Sequence, residues 1–454
     1  MKKRIVVISL VALTIFLGGA PIKTFAEDRY MELQTFSKIL GLIQQYYVEE
    51  VDTKKLVTGA IKGMLRELDP HTSYMPPDVY KDFESETAGE FGGLGIEISI
   101  QNGILTIISP IEDTPAWKAG IKPGDKVVAI DGQSTKGFSL VDASAALKGK
   151  NGEKIVLSII RDNMDKPMDI PIVRGKVVIK SVKATELDDG FLYVKITSFI
   201  ENTSPDLEKA LREFKKKQNG KFEGLLLDLR RNPGGLLEQA IKVSDLFVKE
   251  GVIVSTIGRD PKNKEVSYAT KRAQYSDIPV VVLINEYSAS ASEIVAGALQ
   301  DNKRAVIVGE RSFGKGSVQS AIKLSDGSAL KLTVARYYTP SGISIQSEGI
   351  KPDIEIEEVN TETFAKAITK TSAALREKDM TNHLKGEREK MAEKNKHSVA
   401  DHNLQNNSLA WWNDIGSKKD FELSDKEKLF RSDYQAYQAY SYLKAWKTLK
   451  SISK

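Results

Sequence analysis

Apolar positions along the chain follow two spacings that alternate by region. From Tyr30 to about Phe83 they recur every three to four residues, as Leu33, Phe36, Leu40, Ile43 and Tyr47, then as Leu56, Ile61, Met64 and Leu68. That is the period of an amphipathic helix, so two or more helices are expected there. The segment Leu68-Asp-Pro-His-Thr-Ser-Tyr-Met75 ends the second, because proline disfavours helix for the residue before it. From about Glu90 to Arg174 the spacing shortens to two. Phe91 to Ile100 reads as a strand behind a glycine turn, Asn102-Gly103 as a hairpin, Gly120 to Gly132 as turn, strand, turn, and Ser139 to Leu147 as a short helix.

Beyond Val177 strands and helices alternate. Phe191 to Phe199 is expected as a strand, Ser204 to Lys217 as an amphipathic helix, Glu223 to Arg230 as a buried strand and Leu236 to Lys249 as a helix. The β-branched run Ile278 to Ile284 then gives way to a turn and a helix carrying Ile294, Val295, Ala298 and Leu299, followed by a strand over Ala305 to Gly309. Repeated strand–helix units predict an α/β core with largely parallel strands. After about Asn360 the chain turns charged and polar, with helical stretches over Ala365 to Lys378 and Ser424 to Leu449. Tyr434, Tyr437, Tyr440, Leu443 and Trp446 recur every three residues and read as a packing face.

A chain of 454 residues predicts two or three folded units. The changes of pattern divide it into 1–26, a helical region 27–85, a β-rich unit 86–174, an α/β core 175–358 and a helical, partly polar region 359–454, an α/β multidomain protein. A net charge of +5, without a basic cluster interleaved with aromatics, argues against a nucleic-acid partner. Lys2-Lys3-Arg4, the apolar stretch Ile5 to Ala20 and Thr24-Phe25-Ala26 have the layout of a secretory signal. Read instead as an uncleaved anchor, the stretch is short for a span of about 20 residues. Either way the rest of the chain is expected in the periplasm or at the extracytoplasmic face of a membrane. The absence of cysteine excludes disulfides, thiol catalysis and zinc–thiolate sites.

Candidate chemistry centres on Asn285 to Gln300, where Ser288, Ser290 and Ser292 stand at alternate positions between strand and helix. A helix N-terminus there favours developing negative charge; the bland reading is that Ser290 and Glu293 form a capping box. The histidines, His71, His383, His397 and His402, all lie outside the α/β core, so a Ser-His-Asp triad would need one of them to fold back. Lys315, between Gly314 and Gly316, is the better base. It can take a serine proton only when neutral, which requires desolvation or a neighbouring cation. Gln319 is uncharged and could orient the amine without raising its pKa. Gly309 to Lys315 copies most of a phosphate-binding loop, but Gly316 replaces the required Ser/Thr and a strand, not a helix, is expected over Ser317 to Leu324. Asp228-Leu-Arg-Arg-Asn-Pro-Gly-Gly235 turns from strand to helix, where Gly234 or Gly235 could direct an N–H into an oxyanion hole completed by Ala291.

Two resemblances organise these motifs. Gly93-Leu-Gly-Ile96 with Ala119-Gly-Ile-Lys-Pro-Gly-Asp125 resembles a PDZ domain, which implies that a peptide C-terminus adds as a strand beside Gly95 to Ile98. Its carboxylate would be held by the loop of Gly93, Leu94, Gly95 and Ile96. Together with the 68–74 turn, Asp228 to Gly235, Ser288 to Glu293, Gly314 to Gln319 and Tyr338 to Gln346, the chain resembles the carboxyl-terminal processing peptidases, tail-specific serine proteases with a Ser/Lys dyad. The resemblance implies a ClpP/crotonase-like core, Ser290 as nucleophile, Lys315 as general base and Gln319 as its orienting residue, and that PDZ docking can position or gate the site. No metal, nucleotide or other cofactor is needed on this reading. Partners would be proteins or peptides with free, apolar C-termini, with a homodimer through the helical ends and an activating partner as further expectations. The competing reading is a silent PDZ scaffold that binds tails.

Overall fold

The computed structural model describes residues 25–359 and 420–452, apart from 112–113, 139, 162–163, 165, 189 and 271–272. The expected signal over 1–26 and the helix over Ala365 to Lys378 fall wholly or largely outside these residues. Among the described residues no helix is long and apolar enough to cross a membrane.

The chain begins with helices α1 (Phe25–Tyr46), α2 (Thr53–Arg66) and α3 (Pro77–Ala88), with the short strand β1 (Ser73–Met75) between the last two. A β-rich unit follows. Its strands β3 (Ile96–Gln101), β4 (Ile104–Pro110), β5 (Lys126–Ile130), β7 (Lys154–Ile160) and β8 (Met168–Val173) form an antiparallel sheet with β3 at its edge, and β6 (Gln133–Ser134) pairs with β5. Helices α4 (Pro115–Lys118) and α5 (Leu140–Leu147) accompany it; Ala143 and Leu147 join Leu105, Ile107, Val127, Ile155 and Leu157 in one core. The strand expected over Phe91 to Ile100 is two strands. β2 (Glu90–Gly93) pairs with β9 (Gly175–Val178), and the chain bends before β3 at Gly95, whose φ of 74° and lack of a Cβ let it pack on Thr114. β2 and β9 thus carry the chain into and out of this unit side by side.

The larger core is a six-stranded sheet in the order β10 (Val182–Glu186), β11 (Phe191–Ile196), β12 (Gly224–Asp228), β15 (Val280–Ile284), β16 (Val306–Gly309) and β19 (Ile354–Glu355). Every neighbouring pair is parallel except β10 with β11. β12 and β15 are buried along their whole length, which is why both read as unbroken apolar runs. Alternate residues serve opposite faces. Leu225, Leu227, Val280, Val282 and Ile284 pack under α6 (Thr203–Lys217), α7 (Leu237–Asp245) and α8 (Ala291–Asp301). Leu226, Val281, Leu283 and Val308 meet Phe430, Ala436, Ala439, Tyr440 and Leu443 of α9 (Asp425–Ser432) and α10 (Tyr434–Ile452). Each buried Leu, Ile, Val or Phe among them contributes about 1.5–3 kcal/mol. The tyrosine stripe is therefore a packing face against the core sheet. The single helix expected over Ser424 to Leu449 is two, broken at Asp433 (φ −139°, ψ 91°), whose carboxylate accepts the N–H of Ala436 and so caps the second helix.

A second sheet runs β1, β18 (Ala329–Tyr338), β13 (Val252–Ile257) and β14 (Lys264–Tyr268), with β17 (Ser317–Lys323) also on β18. Since β17 begins at Ser317, two residues after Lys315, no helix N-terminus stands there to support a phosphate.

Candidate active site

β15 ends at Ile284, and the turn to α8 is held by side chains of that turn. Ser288 Oγ donates to Leu229 O (2.9 Å) and accepts from Asn285 N–H (3.0 Å), while Ser292 Oγ donates to Asn232 O (2.9 Å). Both flanking hydroxyls are spent on the neighbouring loop and fully buried. Ser290 is different: its φ of 55° and ψ of −111° are unfavourable for an L-residue, and it heads α8. The Tyr337 phenol, pushed up by burial, is partly offset by a hydrogen bond with the Ser290 side chain.

The loop from Leu229 to Gly235 lies against this turn. Asn232 is fully buried; its Nδ2 donates to Ile196 O (2.9 Å), and its carbonyl accepts the N–H of Ala289 (3.0 Å). A Cβ on Gly234 (φ 101°) would stand 2.7 Å from Ala289 O, 2.8 Å from Ser290 Cβ and 2.9 Å from Ala291 N, so only glycine brings this loop against the serine. The Gly234 N–H, expected at an oxyanion hole, is instead donated to Asn232 Oδ1 (2.9 Å). The N–H groups of Gly235 and Ala291 have no hydrogen-bond acceptor among the described residues. An orphan amide at Ala291 is what a first helical turn leaves.

Glu293 ties the serine turn to the lysine loop. Its Oε2 accepts the N–H groups of Ser290 (2.7 Å) and Lys315 (2.9 Å); its Oε1 accepts Ser312 Oγ (2.6 Å) and the N–H of Gly314 (2.7 Å). Burial pushes this carboxyl up, against the lowering effect of these donors. The helix-capping role legible in the sequence is real, but the carboxylate's reach across to Lys315 is not a local feature and was not anticipated.

Lys315 is half-buried, and its ammonium is held below the ordinary lysine value. Desolvation is the main cause and the Lys331 charge adds to it, while Asp69 and Glu293 oppose the shift. Gln319 lies on β17 where a bulge separates it from Val318; its Nε2 donates to Ser317 Oγ (2.9 Å) and reaches Thr333 Oγ1 at 3.4 Å. His71, the one histidine among the described residues, does fold back to this neighbourhood. Burial, Lys315 and Lys331 all lower its pKa, outweighing Asp69, and it makes no hydrogen bond to Ser290.

Behind the loop, Asp228 is fully buried yet ionised. Burial would raise its pKa, but the charge and hydrogen bonds of Arg230, with Lys195 and Tyr193, hold it below the usual carboxylate range. Arg230 in turn grips Asp433 and donates to Gln435 Oε1 (2.8 Å), fastening α10 to the strand end that feeds the glycine loop. Within the β-rich unit the glycine segment is buried from Gly93 to Gly95 and half-buried at Ile96; Leu94 O accepts the N–H of Ala116 (2.9 Å) and Gly95 O that of Ile111 (2.8 Å), which fixes the loop at the start of edge strand β3.

Residues 190–356 match Peptidase family S41, 106–161 match a PDZ domain, and 21–79 match the activating protease CtpB N-terminal domain. The chain is a serine-type peptidase that carries a PDZ domain. The chain is 46% identical over 366 residues to a carboxy-terminal-processing protease of Bartonella bacilliformis, covering 80% of this chain and 83% of that one. It is 38% identical to the carboxy-terminal processing protease CtpA of Bacillus subtilis, covering 76% and 74%. Among solved structures, a photosystem II D1 C-terminal processing protease is 31% identical, covering 71% of this chain and 92% of that one with a TM-score of 0.44. The chain belongs to the carboxy-terminal processing proteases of family S41.

Proposed function

We propose that this peptidase cleaves exported proteins near their free C-termini by a Ser290/Lys315 acyl-enzyme mechanism. Ser290 Oγ attacks the scissile carbonyl while neutral Lys315 takes the hydroxyl proton. The amine then returns that proton to the departing peptide amine, and a water, deprotonated in the same way, releases the acyl group. Gln319, with its Nε2 engaged by Ser317 and Thr333, keeps its carbonyl oxygen as an acceptor for the lysine amine. The oxyanion falls to the N–H of Ala291 and, since Gly234 spends its own on Asn232, to that of Gly235. The observation that carries this reading is the strained Ser290 at the head of α8, joined to the lysine loop through one buried carboxylate.

The segment Gly93, Leu94, Gly95, Ile96 receives the substrate's terminal carboxylate, and its last residues add to edge strand β3. Export follows from the basic and apolar residues at the N-terminus. The exposed apolar face of α1, with Tyr30, Leu33, Phe36, Ile39 and Leu42, suits a second copy of the chain.

The test compares wild type with Ser290→Ala and Lys315→Ala on an unfolded protein ending in a free apolar tail. Loss of cleavage in both, with tail binding retained, supports the dyad; cleavage surviving in either removes it. Tail binding without cleavage in wild type as well would favour a scaffold.

A further inference from the structure

The turn Asp69 to Thr72 lies outside the residues that match the peptidase family, yet it is bonded into the lysine side of the site. Asp69 Oδ1 accepts the N–H groups of His71 (2.8 Å) and Thr72 (2.9 Å), and its Oδ2 accepts Thr72 Oγ1 (2.7 Å). With its proton given to Asp69, the Thr72 hydroxyl keeps lone pairs, and it accepts the N–H of Thr333 (3.2 Å). The two threonine hydroxyl oxygens lie 3.5 Å apart, and Thr333 Oγ1 is the group that Gln319 Nε2 reaches at 3.4 Å. β1 continues the contact by pairing Ser73 with Lys331 and Met75 with Ala329 on β18.

We propose that Asp69 is a positioning residue for the catalytic base, acting through Thr72 and Thr333 to fix the Gln319 amide beside Lys315. The proposal rests on the Ser290/Lys315 reading above. A free glutamine amide could turn either end towards the lysine; one whose nitrogen is held by Thr333 and Ser317 presents only its oxygen. The N-terminal region thereby supplies part of the base's support through a contact between Thr72 and Thr333, 261 residues apart in sequence.

The same turn brings charge. The groups that face Lys315 are Asp69 and His71 from this turn, Lys331 from β18 and Glu293 from α8. Asp69 favours the charged ammonium and Lys331 disfavours it, while His71, its pKa lowered, adds no charge at neutral pH. The two opposing charges give a signature that a merely structural turn would lack. Removing Asp69's charge must lower the pH at which the base becomes neutral, and removing that of Lys331 must raise it.

The experiment measures kcat, KM and the pH dependence of kcat/KM for the full chain carrying Asp69→Asn, Lys331→Met, Thr333→Val or Thr333→Ser, with Lys315→Ala in parallel. Asp69→Asn and Thr333→Val are expected to lower kcat on the order of 10- to 100-fold with KM little changed, since misplacement of a base acts on the chemical step. The acid limb of the profile is expected to move to lower pH in Asp69→Asn and to higher pH in Lys331→Met. Thr333→Ser, which keeps the hydroxyl, is expected to retain most of the wild-type kcat. Should Asp69→Asn fail to fold, Thr333→Val against Thr333→Ser still decides, because valine keeps the shape of threonine and loses its hydroxyl, which serine retains. An acid limb that stays in place in both charge variants, or equal kcat in the valine and serine variants, overturns the proposal. Cleavage by Lys315→Ala would instead overturn the dyad on which it stands.

Discussion

Ser290 and Lys315, 25 positions apart in the chain, donate their backbone N–H groups to the same oxygen, Oε2 of Glu293, at 2.7 and 2.9 Å. Glu293→Gln is nearly isosteric but turns one of the two acceptor oxygens into an N–H donor facing N–H or O–H groups. We expect it to lower kcat by about 100-fold or more. Each buried donor left unpaired costs about 1–3 kcal/mol, so thermal unfolding should shift down as well. Wild-type kcat and Tm in this variant would refute the shared-oxygen linkage.

Gly234→Ala sets a methyl group against Ala289 O, Ser290 Cβ and Ala291 N at a φ of 101°. Strain of this kind costs about 1–3 kcal/mol. The easiest relief is to move the loop off the serine, so loss of acylation should far exceed loss of stability. Pre-steady-state kinetics with an ester substrate, set beside a denaturant melt, separates the two effects.

With Lys315 as the proposed base, its depressed ammonium predicts the shape of the pH profile. A lysine base is active when neutral, so kcat/KM should rise with pH and level off at an inflection below the ordinary lysine value of about 10.4. An inflection at or above that value would show that burial and Lys331 do not tune this amine.

Asp228 predicts the response of the C-terminal helices to acid. Its folded pKa is depressed below the ordinary value of about 3.9, so its contribution to stability is fully present above that pH and is lost as pH falls through the folded value. Because Asp228 orients Arg230, which grips Asp433, hydrogen exchange in 434–452 should accelerate in that acid range before the sheet opens. Asp433→Ala is expected to produce the same acceleration at neutral pH, at a loss of about 1–3 kcal/mol.

Tail recognition is tested by the substrate's own end group. Amidation of the terminal carboxylate should raise KM on a protein substrate, because the proposed receptor loop from Gly93 to Ile96 would lose the charge it holds. Equal KM for amidated and free tails would argue against that loop as the receptor.

Much of this was legible from local pattern. The buried runs of β12 and β15 announced parallel strands, and the serine stretch before α8 announced a strand, a turn and a capped helix, because strand burial and helix capping are written within a few residues. What escaped was written at long range. Asp69 looked like a turn residue and Glu293 like a cap, and both roles are correct; neither spacing reveals that one reaches Thr333 through Thr72 and the other Lys315. Asp433 was hidden for a related reason: the periodic tyrosines suggested one continuous helix, and the break serves Arg230, far away in sequence and just beyond the end of β12. Even the single strand expected over Phe91 to Ile100 failed on a tertiary contact, the seat of Gly95 on Thr114.

The ribbon of β2 and β9 has a meaning beyond its hydrogen bonds. Because Glu90 pairs with Val178 and Gly93 with Gly175, the chain leaves the catalytic body and returns to it at one spot. The PDZ unit is thus mounted like a cartridge in a socket. A different recognition module with neighbouring termini could be exchanged for it without rethreading the sheet that holds Ser290, leaving the chemistry in place while the choice of victim changes.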